Sequence, residues 1–290
     1  MEFNLMMVVC EDDLHLKSTF FLDLGNLLKQ YNTNPIHIIY HSEHYYDSFL
    51  IEINKDIFIS KKIKKIKINY KNIKTCIETV YKNYYIVGKK NILYYGGHSH
   101  WLFKDTKTSL NTNIFEHITD IELLILDSCY TSYTNLLSSL IGKMKYVIAC
   151  STTGPNLGFL NEQFIDTLHK KDIKDIDKYK IIIDLFIRRN SKDNKLYKNF
   201  NYRTDASLID MVSYVDVHNY IHLHTIDKNL KCKIEHDSYY YFYDLICLTH
   251  DIQFIRKIKK SILYFKTNDL TKIHFKKKNI FLNGMIIGIK

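Results

Sequence analysis

Proline is nearly absent from this chain of 290 residues, occurring twice, and tryptophan occurs once. With so little proline and only nine glycines, no stretch is rich enough in either to act as a linker between two domains. Long apolar runs are missing as well. The best candidates, Tyr146 to Cys150 and Ile181 to Ile187 interrupted by Asp184, fall far short of the roughly 20 residues a membrane helix needs. The N-terminus lacks the basic opening of a secretory signal and reaches Glu11-Asp12-Asp13 almost at once, which predicts an intracellular, cytoplasmic protein with no membrane partner. Six cysteines at positions 10, 76, 129, 150, 232 and 247 have neither the density of a disulfide scaffold nor CxxC spacing. A reducing compartment suits them.

What the chain does have is lysine, which gives most of its net charge of +10. Lys, Ile, Asn and Tyr are abundant throughout, a bias that suits an A/T-rich genome better than a nucleic-acid surface. The densest run, Lys61 to Ile68, interleaves lysine with isoleucine and reads as a lysine-protected edge strand. A nucleic-acid partner is not expected. Short β-branched runs alternate with segments of helical period, which predicts an α/β protein with a mostly parallel sheet between two helical layers. Strands are expected at 5–10, 36–40, 91–95, 122–126 and 145–150. Helices are expected around Phe20 to Tyr31, Ile73 to Tyr84, Leu136 to Ile141, Asn161 to His169 and Lys178 to Arg188. One domain over 1–290 is the reading, with a core in 1–190, a polar surface loop at 190–203 and a C-terminal part, 204–290, that completes the fold.

In an open parallel sheet, functional groups gather where the strands end and the chain must leave. The run at 91–95 leads into Gly96-Gly97-His98, and the run at 122–126 delivers Asp127-Ser128-Cys129. A thiol just ahead of a helix would feel the positive end of its dipole and favour thiolate. An imidazole facing it could take the proton and return it to a leaving amine. The N–H of Cys129 would point toward the oxyanion formed on attack.

These motifs, in this order, resemble the caspase-type cysteine peptidases and, within them, the clostripain family. The opening Met7 to Leu14 is similar to that family's first strand and turn, Ile92 to His98 with Trp101 to its histidine strand, and Leu123 to Cys129 to its nucleophile strand. Lys145 to Phe159 resembles the strand and loop bounding the primary specificity pocket. Ala206 to Asp210 and Asn283 to Ile287 resemble later signatures. The resemblance implies a caspase-like three-layer fold and a cysteine endopeptidase acting on protein or peptide substrates, with His98 as base and Cys129 as nucleophile. It implies an oxyanion or pocket role for Ser99, Asp127, Ser151, Thr152, Thr153 and Asp210, and neither a cofactor nor a metal. Two departures stand out. Ser99 replaces the family's glycine, and Ser151, Thr152 and Thr153 are neutral where an acidic residue would meet a basic substrate side chain, which removes the basis for expecting a basic P1 residue. Self-cleavage near Lys104 or Lys107 would follow the family's habit.

Blander readings stand beside these. Cys150 also ends a strand and is a structural thiol, while His100 is a rival base. His218, His222, His224, Cys232 and His236 could gather a zinc ion, and Tyr239 to Tyr243 could form a buried wall. Asp210 could equally be a helix cap. The alternative function is a catalytically inactive relative that binds a partner through the same cleft. Oligomeric state is not legible.

Overall fold

The computed structural model describes residues 3–11, 23–25, 36–42, 47–54, 57–65, 70–97, 113–152, 158–191, 203–224, 233–236, 241–277 and 282–289. Strands β1 (Phe3–Glu11), β2 (Ile36–Ser42), β3 (Asp47–Asn54) and β4 (Ile57–Lys65) precede helix α1 (Tyr70–Tyr84). Then come β5 (Lys90–Gly96), β6 (Ile121–Asp127), α2 (Thr134–Ser139), β7 (Met144–Ala149), α3 (Phe164–His169) and α4 (Asp175–Arg189). The remainder runs β8 (Asp205–Asp210), α5 (Met211–Leu223), β9 (Lys233–His236), β10 (Tyr241–Asp244), α6 (Ile252–Ser261), β11 (Ile262–Thr267), α7 (Asp269–Lys277) and β12 (Ile286–Ile289).

Nine strands form one sheet in the order β11-β8-β7-β6-β5-β1-β2-β3-β4. The five central strands, β7 to β2, are parallel. Antiparallel strands extend both edges. The described part of the lysine-rich run, 61–65, lies in β4, the terminal strand, as its composition predicts. Strands β12, β10 and β9 make a separate small sheet.

Period-two alternation builds the two cores. Met6, Val8 and Cys10 of β1 face one side with Leu93, Tyr95, Leu124 and Leu126. Leu5, Met7 and Val9 face the other with Ile92, Tyr94, Leu123 and Ile125. Ile73, Ile77 and Val80 of α1, Leu136 and Leu137 of α2, Tyr214 of α5 and Phe254 of α6 cover the first face. Tyr179, Ile182, Ile183 and Phe186 of α4, with Phe164 and Ile165 of α3, cover the second. Each recurs at helical spacing, so each helix turns a single apolar stripe inward. Burial of each such side chain stabilises by about 1.5–3 kcal/mol. The result is the expected α/β/α sandwich.

Several expectations meet the structure differently. The helix expected from Phe20 is described only at 23–25, where Leu24 is buried. Most of the expected loop at 190–203, and Tyr239 and Tyr240 of the aromatic cluster, lie outside the described residues. Cys10, Cys76 and Cys150 are buried thiols, whereas Cys247 is disulfide-bonded, which departs from a fully reduced set. Among the described residues no group of three or more His, Cys, Asp or Glu could hold a metal ion. His218 stacks edge-on against His222 and pairs through Nδ1 with the Ser138 hydroxyl, while Cys232 lies outside the described residues. No described helix is long and apolar enough to cross a membrane.

Candidate active site

The site is framed by the carboxyl ends of β5, β6 and β7. Gly96 is paired in register with Asp127. One residue on, the Gly97 N–H donates to the Asp127 carbonyl at 3.3 Å. Gly97 has φ of 151°, and a Cβ there would sit 2.7 Å from the Cys10 carbonyl oxygen, so only glycine can let the chain turn away from β1 at this point. His98 and Ser99 follow directly and lie outside the described residues, as do His100, Trp101, Lys104, Lys107 and Thr153. The described chain therefore brings the residue before His98 into hydrogen-bond contact with the residue two before Cys129.

Cys129 is half-buried and sits in the turn after β6. A helix does not follow at once. Helix α2 starts only at Thr134 and has six residues, so the thiol is not at its N-terminus. The turn is instead stitched to the end of β7. The Tyr130 N–H donates to the Thr152 carbonyl at 3.1 Å and the Ser132 N–H to the Cys150 carbonyl at 2.8 Å. Thr131 closes the turn from within: its hydroxyl lies 3.3 Å from the Leu126 carbonyl and accepts from the Cys150 N–H at 3.0 Å. Tyr130 takes a left-handed φ of 53°, uncommon for a bulky residue. Such strain persists only where the surroundings fix it. Cys150, the control thiol, is fully buried and its pKa is pushed well up by burial, which suits a structural role.

Asp127 lies beneath a loop rather than beside water alone. The Tyr94 hydroxyl and the Phe159 N–H, the latter at 3.1 Å, both donate to its Oδ2. Burial raises its pKa to about 6, against the lowering effects of those two donors and of Arg189. No described residue bonds Oδ1. Gly158 sits so close that a Cβ there would fall 2.0 Å from Asp127 Oδ2.

Ser151 and Thr152 are buried and anchored by Asp205, the first residue of β8. Asp205 accepts from the Ser151 N–H at 2.6 Å and from its hydroxyl at 2.5 Å. Burial raises the Asp205 pKa to about 6. Asp210 ends the same strand and pairs across from Tyr146, which itself is level with Leu123 near the start of β6. Because β8 runs antiparallel, Asp210 lies at the far end of the sheet from Asp127 and cannot wall the same pocket. It caps α5, accepting from the Val212 N–H at 3.1 Å and the Ser213 hydroxyl at 2.7 Å.

Sequence reasoning missed Tyr94, Asp205, Arg189 and Asp23. Arg189 donates to the Gly158 carbonyl at 2.9 Å, the Leu160 carbonyl at 3.1 Å and the Asp23 carboxylate. A hydroxyl-bearing Tyr94 within an apolar strand, and an arginine in a lysine-dominated chain, were the signals on offer.

No family model and no curated protein matches the sequence. Solved structures do match. A secreted C11 cysteine protease from Bacteroides thetaiotaomicron, "iotapain", superposes with a TM-score of 0.68 at 15% identity, over 99% of this chain and 93% of its own. A secreted C11 cysteine protease from the same organism, in complex with an irreversible peptide inhibitor, gives 0.65 at 14%, over 99% and 89%. An inactive zymogen C11 protease from Parabacteroides distasonis gives 0.66 at 13%, over 99% and 92%. The chain has the C11 protease fold. At these identities the likeness is one of architecture.

Proposed function

We propose that this chain is a cysteine endopeptidase of the clostripain kind, with Cys129 as nucleophile and His98 as general base. The observation that carries the reading is the half-buried Cys129 thiol at the carboxyl end of β6, with the turn leading to His98 tied to the same strand end. The C11 fold over nearly the whole chain supports it. In the reaction, His98 takes the Cys129 proton and the thiolate adds to the scissile carbonyl carbon. Collapse of the tetrahedral intermediate expels the amine, which leaves with the proton from His98, and an acyl thioester remains on Cys129. Water, deprotonated by His98, then releases the acid and restores the thiol.

The substrate side chain we propose for the pocket is a basic one. The neutral loop at 151–153 had argued against it, but a countercharge is available from the strand end. Asp127 is partly exposed and keeps Oδ1 without a partner among the described residues, so a substrate cation that reached it would offset its charge. Asp23 is already paired with the Arg189 guanidinium, which leaves the Asp127 carboxyl to meet a substrate cation.

Peptidyl acyloxymethyl ketones bearing lysine or a neutral residue at P1 test both statements. The wild type is expected to be labelled, with the lysine probe faster, the Cys129→Ala protein not at all, and the His98→Ala protein slowly. Absence of any label dependent on Cys129 would leave the inactive binding protein as the better reading.

A further inference from the structure

The group that holds Asp127 in place is itself held. The peptide unit joining Gly158 to Phe159 offers its N–H to Asp127 Oδ2 at 3.1 Å and its carbonyl to Arg189 Nη1 at 2.9 Å. A single peptide dipole thus lies between an anion and a cation, aligned with both, an arrangement in which each hydrogen bond strengthens the next. The same Nη1 reaches the Leu160 carbonyl at 3.1 Å, so the guanidinium spans the loop on both sides of Phe159. Nη2 meets Asp23, whose side chain is 5% exposed against 9% for Arg189. An ion pair this dry is retained only when its remaining donors are matched, and here two carbonyls match them. Phe159 meanwhile stacks on Phe186, three residues before Arg189 on the same helix, with ring centroids 3.8 Å apart.

We infer that Arg189 is a positioning residue for substrate recognition: through the Gly158–Phe159 peptide it aims the Asp127 carboxylate, and Asp23 fixes the guanidinium that does so. The inference rests on the peptidase reading above and deepens it by naming what sets the pocket's acid. Lysine cannot replace Arg189, because an ammonium lacks the planar fork that reaches two carbonyls and a carboxylate at once. Gly158 is required because any side chain would occupy the space of the Asp127 carboxylate.

The experiment compares wild type with Arg189→Met, Arg189→Lys and Asp23→Asn. For peptides with lysine at P1, Arg189→Met is expected to raise KM at least tenfold with kcat within about threefold, and to erase the preference over a neutral P1 residue. Arg189→Lys recovers only part of this, Asp23→Asn shifts it in the same direction by less, and alkylation of Cys129 by iodoacetamide keeps its wild-type rate. Amide exchange of Phe159 is followed in parallel and is expected to quicken at least tenfold in Arg189→Met, with Leu124 and Ile125 unchanged. A folded Arg189→Met protein with unaltered P1 preference and unaltered Phe159 exchange overturns the inference. Should Arg189→Met fail to fold, Asp23→Asn decides by the same two readouts. If the wild type cleaves nothing, the peptidase reading fails, and the exchange of Phe159 alone decides whether Arg189 positions the loop.

Discussion

The carboxyl proposed to meet a basic substrate side chain is useful only when ionised, and Asp127 is held where ionisation is hard. Burial raises its pKa to about 6, and Tyr94, the Phe159 N–H and Arg189 together only partly reverse this. For such a group the ionised fraction rises about tenfold between pH 5 and pH 7. Binding of peptides with a basic P1 residue should therefore tighten as pH rises through 6, with KM falling up to about tenfold. Asp127→Asn should remove that dependence and leave a uniformly high KM, and steady-state kinetics across this range with lysine and neutral substrates would check it. At this scale the sequence was half legible. Cys129 and Asp127 stand in a run of residues that can be read directly, and His98 follows a Gly-Gly pair whose necessity is now visible at Gly97. Asp205 and Arg189 could not be read, since their partners, Ser151 and Gly158, lie 54 and 31 residues away in the chain. No local pattern records such a meeting.

At the level of elements, the central strands were the clearest. β5 and β6 are apolar almost throughout because helices cover both their faces, and such runs announce themselves. Edge elements were harder, because direction is not written in composition. β8 reads the same forwards or backwards, yet its antiparallel course sends Asp205 to the end of the sheet that carries Cys129 and Asp210 to the opposite one. Asp210→Ala should accordingly cost about 1 kcal/mol of stability, the usual loss of a helix cap, with KM and kcat unchanged. Thermal melts and kinetics on the same preparation separate the two roles, since a pocket residue would raise KM without lowering the melting temperature. The turn carrying Cys129 teaches a similar lesson. Its apolar neighbours Leu136 and Leu137 suggested an immediate helix, but Thr131 and Ser132 bind β7 first and delay α2 to Thr134.

Among the described residues of the whole molecule, four aspartates are shifted upward by desolvation: Asp23 to about 7, and Asp127, Asp205 and Asp244 to about 6. Each binds its proton more tightly folded than unfolded, where the ordinary value is near 3.8. Their stabilising effect is complete below pH 4 and is lost as pH rises through 6 and 7. Asp175, lowered by Lys90 and Lys178, acts in the other sense only below pH 4, whereas His169 and His218, lowered by burial, do so as pH rises through about 6.5. The melting temperature should therefore be higher near pH 5 than near pH 8, and Asp244→Asn, which removes one such group away from the site, should flatten the curve. A melting temperature that climbs steadily from pH 5 to pH 8 would contradict the balance drawn here.

The sheet that frames the thiol also ties together the chain before Ser191 and the chain after Arg203. Strands β8 and β11 are laid beside β7, and Asn268 reaches back to the Asn190 carbonyl at 3.1 Å. Scission of the backbone anywhere between Ser191 and Arg203 would thus give two fragments that migrate as one particle, and a denaturant, not the cut, would be needed to part them.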